Sequence, residues 1–352
     1  MNRIRPMKRA AVAGALALPL LAAGCGLLPG QSAKQIDPPQ VQYDAGEAFG
    51  QEAGKAQAAV NGQQTQMTLY LKDRAGFVAP VSVTTSLADE EKAGKKALEM
   101  LVDGGPYAGE LPAGFMGLLP KGTQVTQLDI VNDQKLAIVD FSGPFADYNA
   151  QDERRMLEAV TWTLTGFPDI ERVQIWYEGE QLNEMPVDGY PLDEPLTRAM
   201  GVNLELAPGV QYADSMPVTI YFSALSDEDE QYYVPVTRLI KRDEDLGLAA
   251  LRQLAAGPGE KELVGVMTSD VEVASLKVEG DIATVDMELA DFEEGQAAPA
   301  EMLQAVVLSV TENTGASKVR IRINGSSKVT DTDNRSYGEP VTRPDYVNAL
   351  KA

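Results

Sequence analysis

The chain has 352 residues, of which 52 are acidic and 30 are basic, and it contains one cysteine and no histidine. The missing histidine excludes Ser-His-Asp and Cys-His nucleophilic catalysis and every histidine-ligated metal site. A single cysteine forms neither an internal disulfide nor a cysteine-rich zinc site. The length suits two or three domains, and an apolar fraction of 44% is sufficient for buried cores.

The first 24 residues have the composition of an export signal. Four basic residues within the first nine positions precede an apolar run over 10–23, which is too short for a stable membrane-spanning helix. Small residues then lead to Cys25, and this Leu-Ala-Ala-Gly-Cys sequence resembles the bacterial lipoprotein box, in which the thiol receives a diacylglyceryl group. We expect a lipoprotein signal peptide over 1–24 and lipid attachment at Cys25. An ordinary secretory signal is the alternative.

The expected lipid determines where the protein works. Each buried methylene contributes about 0.8 kcal/mol to membrane binding, so an acylated Cys25 anchors the chain to the extracytoplasmic face of the cell membrane. Cleavage after residue 24 leaves 26 basic residues against 52 acidic ones, a charge that repels nucleic acid. Residues 25–66 are rich in Gly, Gln, Ala and Pro and are interpreted as a flexible spacer.

The remaining sequence contains one domain-sized unit twice. Three blocks recur in the same order in both halves: residues 68–71 with 219–222, 139–179 with 285–325, and 194–203 with 339–348. The last block has the pattern E-P-x-T-R-x-x-x-V-N in both copies and is the most specific local signal in the chain. We therefore predict one domain over 67–203, a linker over 204–216 and a second domain over 217–348.

Hydrophobic periodicity predicts the order β-β-α-β-β-α-β in each unit. Strands are expected over 67–71, 78–87, 125–131, 135–141 and 173–177, and helices from Asp89 to Val102 and over 152–165. The second helix carries an apolar stripe that includes Met156, Leu157 and Val160. The predicted fold class is α+β: two tandem repeats of a small mixed or antiparallel sheet with two helices on one face.

Two short motifs carry a resemblance to a known family. The sequence L-P-x-G-T-x-V at 119–125, followed by V-D-F-S at 139–142 and a helix, resembles the GerM domain. The second unit departs from this pattern, with V-D-M-E at 285–288. Two such units behind a lipoprotein signal resemble proteins of sporulation and spore germination. The resemblance implies a non-enzymatic role in holding an envelope assembly, no cofactor and an extracytoplasmic protein partner, and it leaves self-association open.

Five residues are candidates for structural or contact roles. Asp140 and Asp286 end an apolar strand in both units and are interpreted as acceptors that cap turns. Arg198 and Arg343 lie in the repeated terminal motif, where each forms an internal salt bridge or binds an anionic group of a partner. Trp176 alternates with buried positions on a strand and is a candidate contact residue.

Three functions remain open at this point. The first is a membrane-tethered scaffold that docks to another extracytoplasmic protein. The second is a lipoprotein that binds wall fragments, germinants or cations. The third, a wall hydrolase, requires two acids about 5–9.5 Å apart in a cleft, and no sequence feature indicates such a pair. No catalytic, cofactor-binding or metal-binding residue is predicted.

Overall fold

The computed structural model describes residues 63–87, 92–290, 292–293 and 295–350. The predicted signal peptide, Cys25, Asp89 and most of the predicted spacer lie outside these residues. The first strand begins at Gln63 and therefore includes the last four positions of the predicted spacer.

We call residues 67–203 repeat one and residues 217–348 repeat two. The elements of repeat one, in chain order, are β1 (Gln63–Lys72), β2 (Val78–Leu87), α1 (Ala93–Met100), β3 (Gln124–Val131), β4 (Leu136–Ser142), α2 (Ala150–Leu164), β5 (Arg172–Tyr177) and β6 (Glu180–Gln181). The segment between the repeats contains β7 (Glu205–Leu206). Short 3-10 turns occur at Ala108–Glu110, Asn132–Gln134, Arg198–Met200 and Tyr212–Asp214.

Repeat two follows the same order and has additional short strands. Its elements are β8 (Ser215–Leu225), β9 (Gln231–Lys241), α3 (Leu246–Ala256), β10 (Val271–Glu279), β11 (Ile282–Leu289), β12 (Ala297–Ala298), α4 (Ala300–Thr314), β13 (Lys318–Ile323), β14 (Thr330–Asp331) and β15 (Val341–Thr342). The α+β class and the tandem repetition predicted from the sequence are confirmed.

The main strands of each repeat are divided between a hairpin and a separate four-stranded sheet, and repeat two also has a two-stranded parallel sheet of β12 and β14. In repeat one, β1 and β2 form the antiparallel hairpin, and the other sheet has the order β3-β4-β5-β6. Its middle strands, β4 and β5, are parallel because α2 connects them as a crossover. Repeat two has the equivalent sheet β10-β11-β13-β15, with β11 and β13 parallel and joined through α4.

The segment predicted as a linker is part of the second hairpin sheet. Strand β7 pairs in parallel with β9, giving the order β7-β9-β8. Arg238 on β9 is 6% exposed and forms an ion pair with Glu205 on β7, with 2.5 Å between Nε and Oε1. This pair and the backbone ladder hold the connection against repeat two.

The long helices cover the outer strand of each hairpin. The backbone N–H of Tyr70 on β1 donates to Thr163 Oγ1 on α2 at 2.9 Å, and that of Tyr221 on β8 donates to Ser309 Oγ on α4 at 3.1 Å. The two pairs occupy equivalent positions in the repeats. Because the helices supply these acceptors, the hairpin edges do not expose all of their backbone groups.

The inner hairpin strands, β2 and β9, face each other across a seam between the repeats. Both are buried over long stretches, 78–83 and 232–238. They do not pair directly; instead, Asn203 from the end of repeat one bridges them. Its Oδ1 accepts the Val78 N–H at 2.8 Å, and its Nδ2 donates to Val78 O at 2.8 Å and to Pro235 O at 2.7 Å.

Asn348, from the end of repeat two, makes the reciprocal set of contacts. Its Oδ1 accepts the Tyr233 N–H at 2.8 Å, and its Nδ2 donates to Tyr233 O and Pro80 O, both at 2.7 Å. Both asparagines have positive φ, 48° at Asn203 and 58° at Asn348. Asparagine tolerates this left-handed conformation better than most residues. The two asparagines are therefore related by an approximate twofold symmetry, and each terminal motif forms hydrogen bonds with both repeats.

We predict that replacing either asparagine with glycine opens the seam locally. Glycine accepts the positive φ, so Asn203→Gly removes only the amide and its three hydrogen bonds. At about 1 kcal/mol per bond, the free energy of unfolding should fall by roughly 2–3 kcal/mol. Hydrogen exchange should show loss of protection at the Val78 amide in Asn203→Gly and at the Tyr233 amide in Asn348→Gly.

Asn324→Gly is the matched control. Asn324 also has positive φ, 51°, and bonds to the N–H and C=O of Leu289, but both partners lie within repeat two. It should lower stability while leaving the Val78 and Tyr233 amides protected. Unchanged protection of Val78 in Asn203→Gly would contradict the bridging role.

Candidate functional site: the junction of the two repeats

Two arginines share one glutamate where the repeats meet. Arg198 ends repeat one and donates from Nη1 to Glu312 Oε1 and Oε2 on α4, at 3.2 and 3.3 Å. Arg343 ends repeat two, and its Nη2 lies 3.0 Å from Glu312 Oε2. Glu312 is 11% exposed in its side chain, whereas the arginines are 29% and 26% exposed. Arg343 therefore pairs within its own repeat, and Arg198 pairs with the other repeat.

Equivalent hydroxyl groups fix the two guanidinium groups. Arg198 Nε donates to Thr165 Oγ1 at 3.0 Å, and Arg343 Nη1 donates to Thr311 Oγ1 at 3.0 Å. The two threonines occupy matching positions: Thr165 directly follows α2, and Thr311 lies in the last turn of α4. The terminal motif thus places each arginine against the end of its own helix.

Buried aromatic rings lie beneath the guanidinium groups. The Arg198 Cζ is 4.5 Å from the centroid of Trp162, and the Arg343 Cζ is 5.2 Å from that of Tyr221. Tyr221 Oη also accepts from Arg343 Nη2 at 2.6 Å and donates to Glu312 Oε2 at 3.1 Å. The rings of Trp162 and Tyr221 are fully buried. Stacking and hydrogen bonding therefore hold both cations in defined orientations.

The electrostatics of the cluster favour an ionised glutamate. Burial raises the pKa of Glu312, but the charges of Arg343 and Arg198 outweigh it and hold the pKa below its ordinary value of 4.5. Burial raises the pKa of Tyr221 well above 10.0, so this phenol stays neutral at physiological pH. With two cations and one anion, the cluster carries one surplus positive charge.

The surplus follows from a difference between the repeats. At the constant offset that aligns 139–179 with 285–325, the position of Glu312 corresponds to Gly166. Repeat one therefore has an arginine and a threonine at this place but no acid.

A second set of contacts crosses between the hairpin turns. Asp73, which is 2% exposed, accepts the Tyr232 hydroxyl of repeat two at 2.8 Å. Burial raises the pKa of Asp73 above its ordinary value. Arg74 and Asp227 form an exposed ion pair between the same turns. The junction is thus anchored at both hairpin turns as well as at the terminal motifs.

The repeated aspartates hold neighbouring strands in place. Asp140 on β4 accepts the Thr126 hydroxyl at 2.8 Å and the Gly179 N–H at 3.1 Å. Asp286 on β11 accepts the Ser275 hydroxyl at 3.1 Å and lies 3.9 Å from Arg322. Both are half-buried. Each carboxylate therefore interacts with residues of its own sheet or of the turn next to it.

Trp176 is half-buried on β5, and its indole N–H donates to Gln174 Oε1 at 3.1 Å.

Within the described part of the chain, no group of three or more Cys, Asp or Glu side chains is arranged to hold a metal ion. No helix among the described residues combines the length and apolar composition needed to cross a membrane.

Sequence reasoning identified both arginines but not their shared partner. Glu312 stands alone in one repeat, so repetition gives no signal for it, and nothing local connects it with Arg198, 114 positions away. The comparison of Glu312 with Gly166 was the available clue. Asn203 and Asn348 were visible in the terminal motif, whereas their bonds to both repeats require the tertiary structure.

We predict a pH-dependent loss of stability in Glu312→Gln. Because the pKa of Glu312 is lowered in the folded state, its stabilising contribution is full above its ordinary pKa and disappears as the pH falls through the folded value. At about pH 7 the variant should be less stable by on the order of 1–2 kcal/mol, since both arginines are partly solvated. Denaturant titrations from about pH 7 to about pH 3 should show this difference shrinking.

The control is Glu171→Gln, which removes the exposed partner of Lys135. It should leave the denaturation midpoint unchanged across the same range. A Glu312→Gln deficit of constant size at all pH values would show that the carboxylate charge is not what stabilises the junction.

Comparison with known proteins places the chain in a family. The family model described as "Germane: Sporulation and spore germination" matches residues 68–183 and 219–329. The spore germination protein GerM of Bacillus subtilis (strain 168) is 37% identical, over 97% of this chain and 98% of that protein. The solved tandem GerMN domains of the B. subtilis sporulation protein GerM superpose with a TM-score of 0.75 at 37% identity, covering 81% of this chain and all of that one. Each matched segment lies within one repeat and ends before its terminal motif. The chain belongs to the Germane family of sporulation and spore-germination proteins.

Proposed function

We propose that this protein is a lipid-anchored extracytoplasmic scaffold of sporulation and spore germination. Cys25 carries the lipid, residues 25–66 separate the folded part from the cell membrane, and the two repeats dock to another envelope protein. The protein acts by binding and catalyses no reaction.

The use made of the repeated polar residues supports this proposal. In the terminal motifs, both asparagines and Arg198 bond across the junction, and Arg343 pairs within its own repeat. Asp140 and Asp286 bond within their own sheets. These are the positions at which a duplicated active site would be sought. Their commitment to packing favours a rigid binding body, and this observation carries the proposal.

The sequence supports the membrane address. The basic start, the short apolar run and the small residues before Cys25 fit a lipoprotein signal, and two or more acyl chains give durable membrane attachment. An anchored and rigid tandem body suits a protein that holds an assembly at one membrane.

We predict that anchoring depends on Cys25. In sporulating cells, the tagged full chain should fractionate with membranes, and Cys25→Ala should appear in the soluble extracytoplasmic fraction or keep its uncleaved signal. After crosslinking, the anchored chain should recover a defined envelope protein that Cys25→Ala recovers less well. Membrane retention of Cys25→Ala would contradict the lipid anchor.

A second assay separates the scaffold from an enzyme. The purified full chain in detergent should release no soluble fragments from cell-wall material. Fragment release that survives Cys25→Ala would contradict the non-enzymatic role, and a chain that crosslinks to nothing throughout sporulation would contradict the scaffold.

A further inference from the structure

We propose that the guanidinium pair of Arg198 and Arg343 binds a carboxylate from outside the folded chain. The site is the side of the cluster on which these two arginines are partly exposed, above the buried Tyr221 and Trp162 and beside Glu312. The ligand is a carboxylate group, from a small organic acid or from an acidic side chain of another protein.

The first support is unbalanced charge. Glu312 is the acid that both guanidinium groups contact: Arg198 Nη1 lies 3.2 Å from its Oε1, and Arg343 Nη2 lies 3.0 Å from its Oε2. One carboxylate therefore serves two fixed cations. Two other arginines each pair with one acid of low exposure: Arg238 with Glu205 and Arg154 with Glu158. In a chain with 52 acidic and 30 basic residues, a half-buried positive surplus is a local exception.

The second support is unused hydrogen-bonding capacity. Arg198 commits Nε to Thr165 and Nη1 to Glu312. Its Nη2 makes no hydrogen bond to the described residues, and 29% of the side chain is exposed. The contact of Arg198 Cζ with the Trp162 ring and the bonds to Thr165 and Glu312 fix the guanidinium before any ligand arrives. Such a preorganised edge suits a planar oxyanion.

The third support identifies the ligand as a carboxylate. In repeat two, Arg343 donates to the Thr311 hydroxyl and pairs with the carboxylate of Glu312. Repeat one repeats the arginine and threonine, and Gly166 takes the place of the acid. An external carboxylate would supply the group that this half of the pseudo-twofold arrangement lacks. The lipid anchor and the scaffold role do not enter this inference, so failure of the Cys25 experiment leaves it intact.

Trp162 provides the readout. The chain has two tryptophans, and Trp176→Phe leaves Trp162 as the only indole. In that background we expect a saturable change of Trp162 fluorescence with succinate at constant ionic strength. Arg198→Gln should weaken the response about tenfold, and Arg198→Lys, which keeps the charge but loses the planar fork, should also weaken it. Glu312→Gln should strengthen it, because it removes the competing carboxylate.

Arg155→Gln is the matched control, since Arg155 is a half-exposed arginine on α2 outside the cluster. It should bind succinate as the parent does.

Two further ligands test the source of the carboxylate and its preference over other anions. Binding of a blocked peptide with one central glutamate, but not of its glutamine version, would show that a protein side chain can occupy the site as well as a free acid. Inorganic phosphate tests whether the site prefers carboxylates. A linear response shared with chloride, or undiminished binding in both Arg198 variants, would overturn the proposal.

Discussion

The structure depends on the requirement that buried backbone groups find hydrogen-bond partners where two strands meet without pairing. β2 and β9 face each other across the seam, yet the asparagine amides, not a shared ladder, link them. A buried unpaired backbone group costs about 1–3 kcal/mol, so each amide stabilises the closed seam by satisfying such groups. Since Asn203 comes from repeat one and Asn348 from repeat two, each repeat completes the other.

This requirement explains the order of residues in the terminal motif. Asparagine provides two donors and an acceptor on a short side chain and tolerates the left-handed backbone that aims it between the strands. The arginine five positions earlier reaches the end of the long helix. Burial of Val202 and Val347 between them fixes the intervening segment. Each terminal motif is therefore held by hydrogen bonds at its arginine and its asparagine and by burial of the valine between them.

Local patterns predicted the elements well and their assembly less well. The predicted strand over 78–87 and the helix over 152–165 match β2 and α2 closely, because a β-rich composition and the Met156 stripe are local features of the sequence. The division of each repeat into a hairpin and a four-stranded sheet could not be predicted from local sequence, because a buried strand has the same hydrophobic pattern in either sheet. Arg198 had two interpretations from the sequence, an internal salt bridge or an anionic partner. Only the position of Glu312 shows that its bond crosses between the repeats.

The asymmetry at Gly166 and Glu312 connects the rigidity of the junction with its charge. If each repeat carried its own acid at this place, the arginine of each terminal motif could be satisfied within its repeat, and neither would need an ionic bond to the other repeat. With one acid on α4, Arg198 must reach across to Glu312, which turns a tail contact into a link between the repeats. The same shortage leaves a positive charge on the exposed side. A carboxylate that binds Arg198 competes with Glu312 for that guanidinium, so occupancy of this face and the strength of the link are thermodynamically coupled.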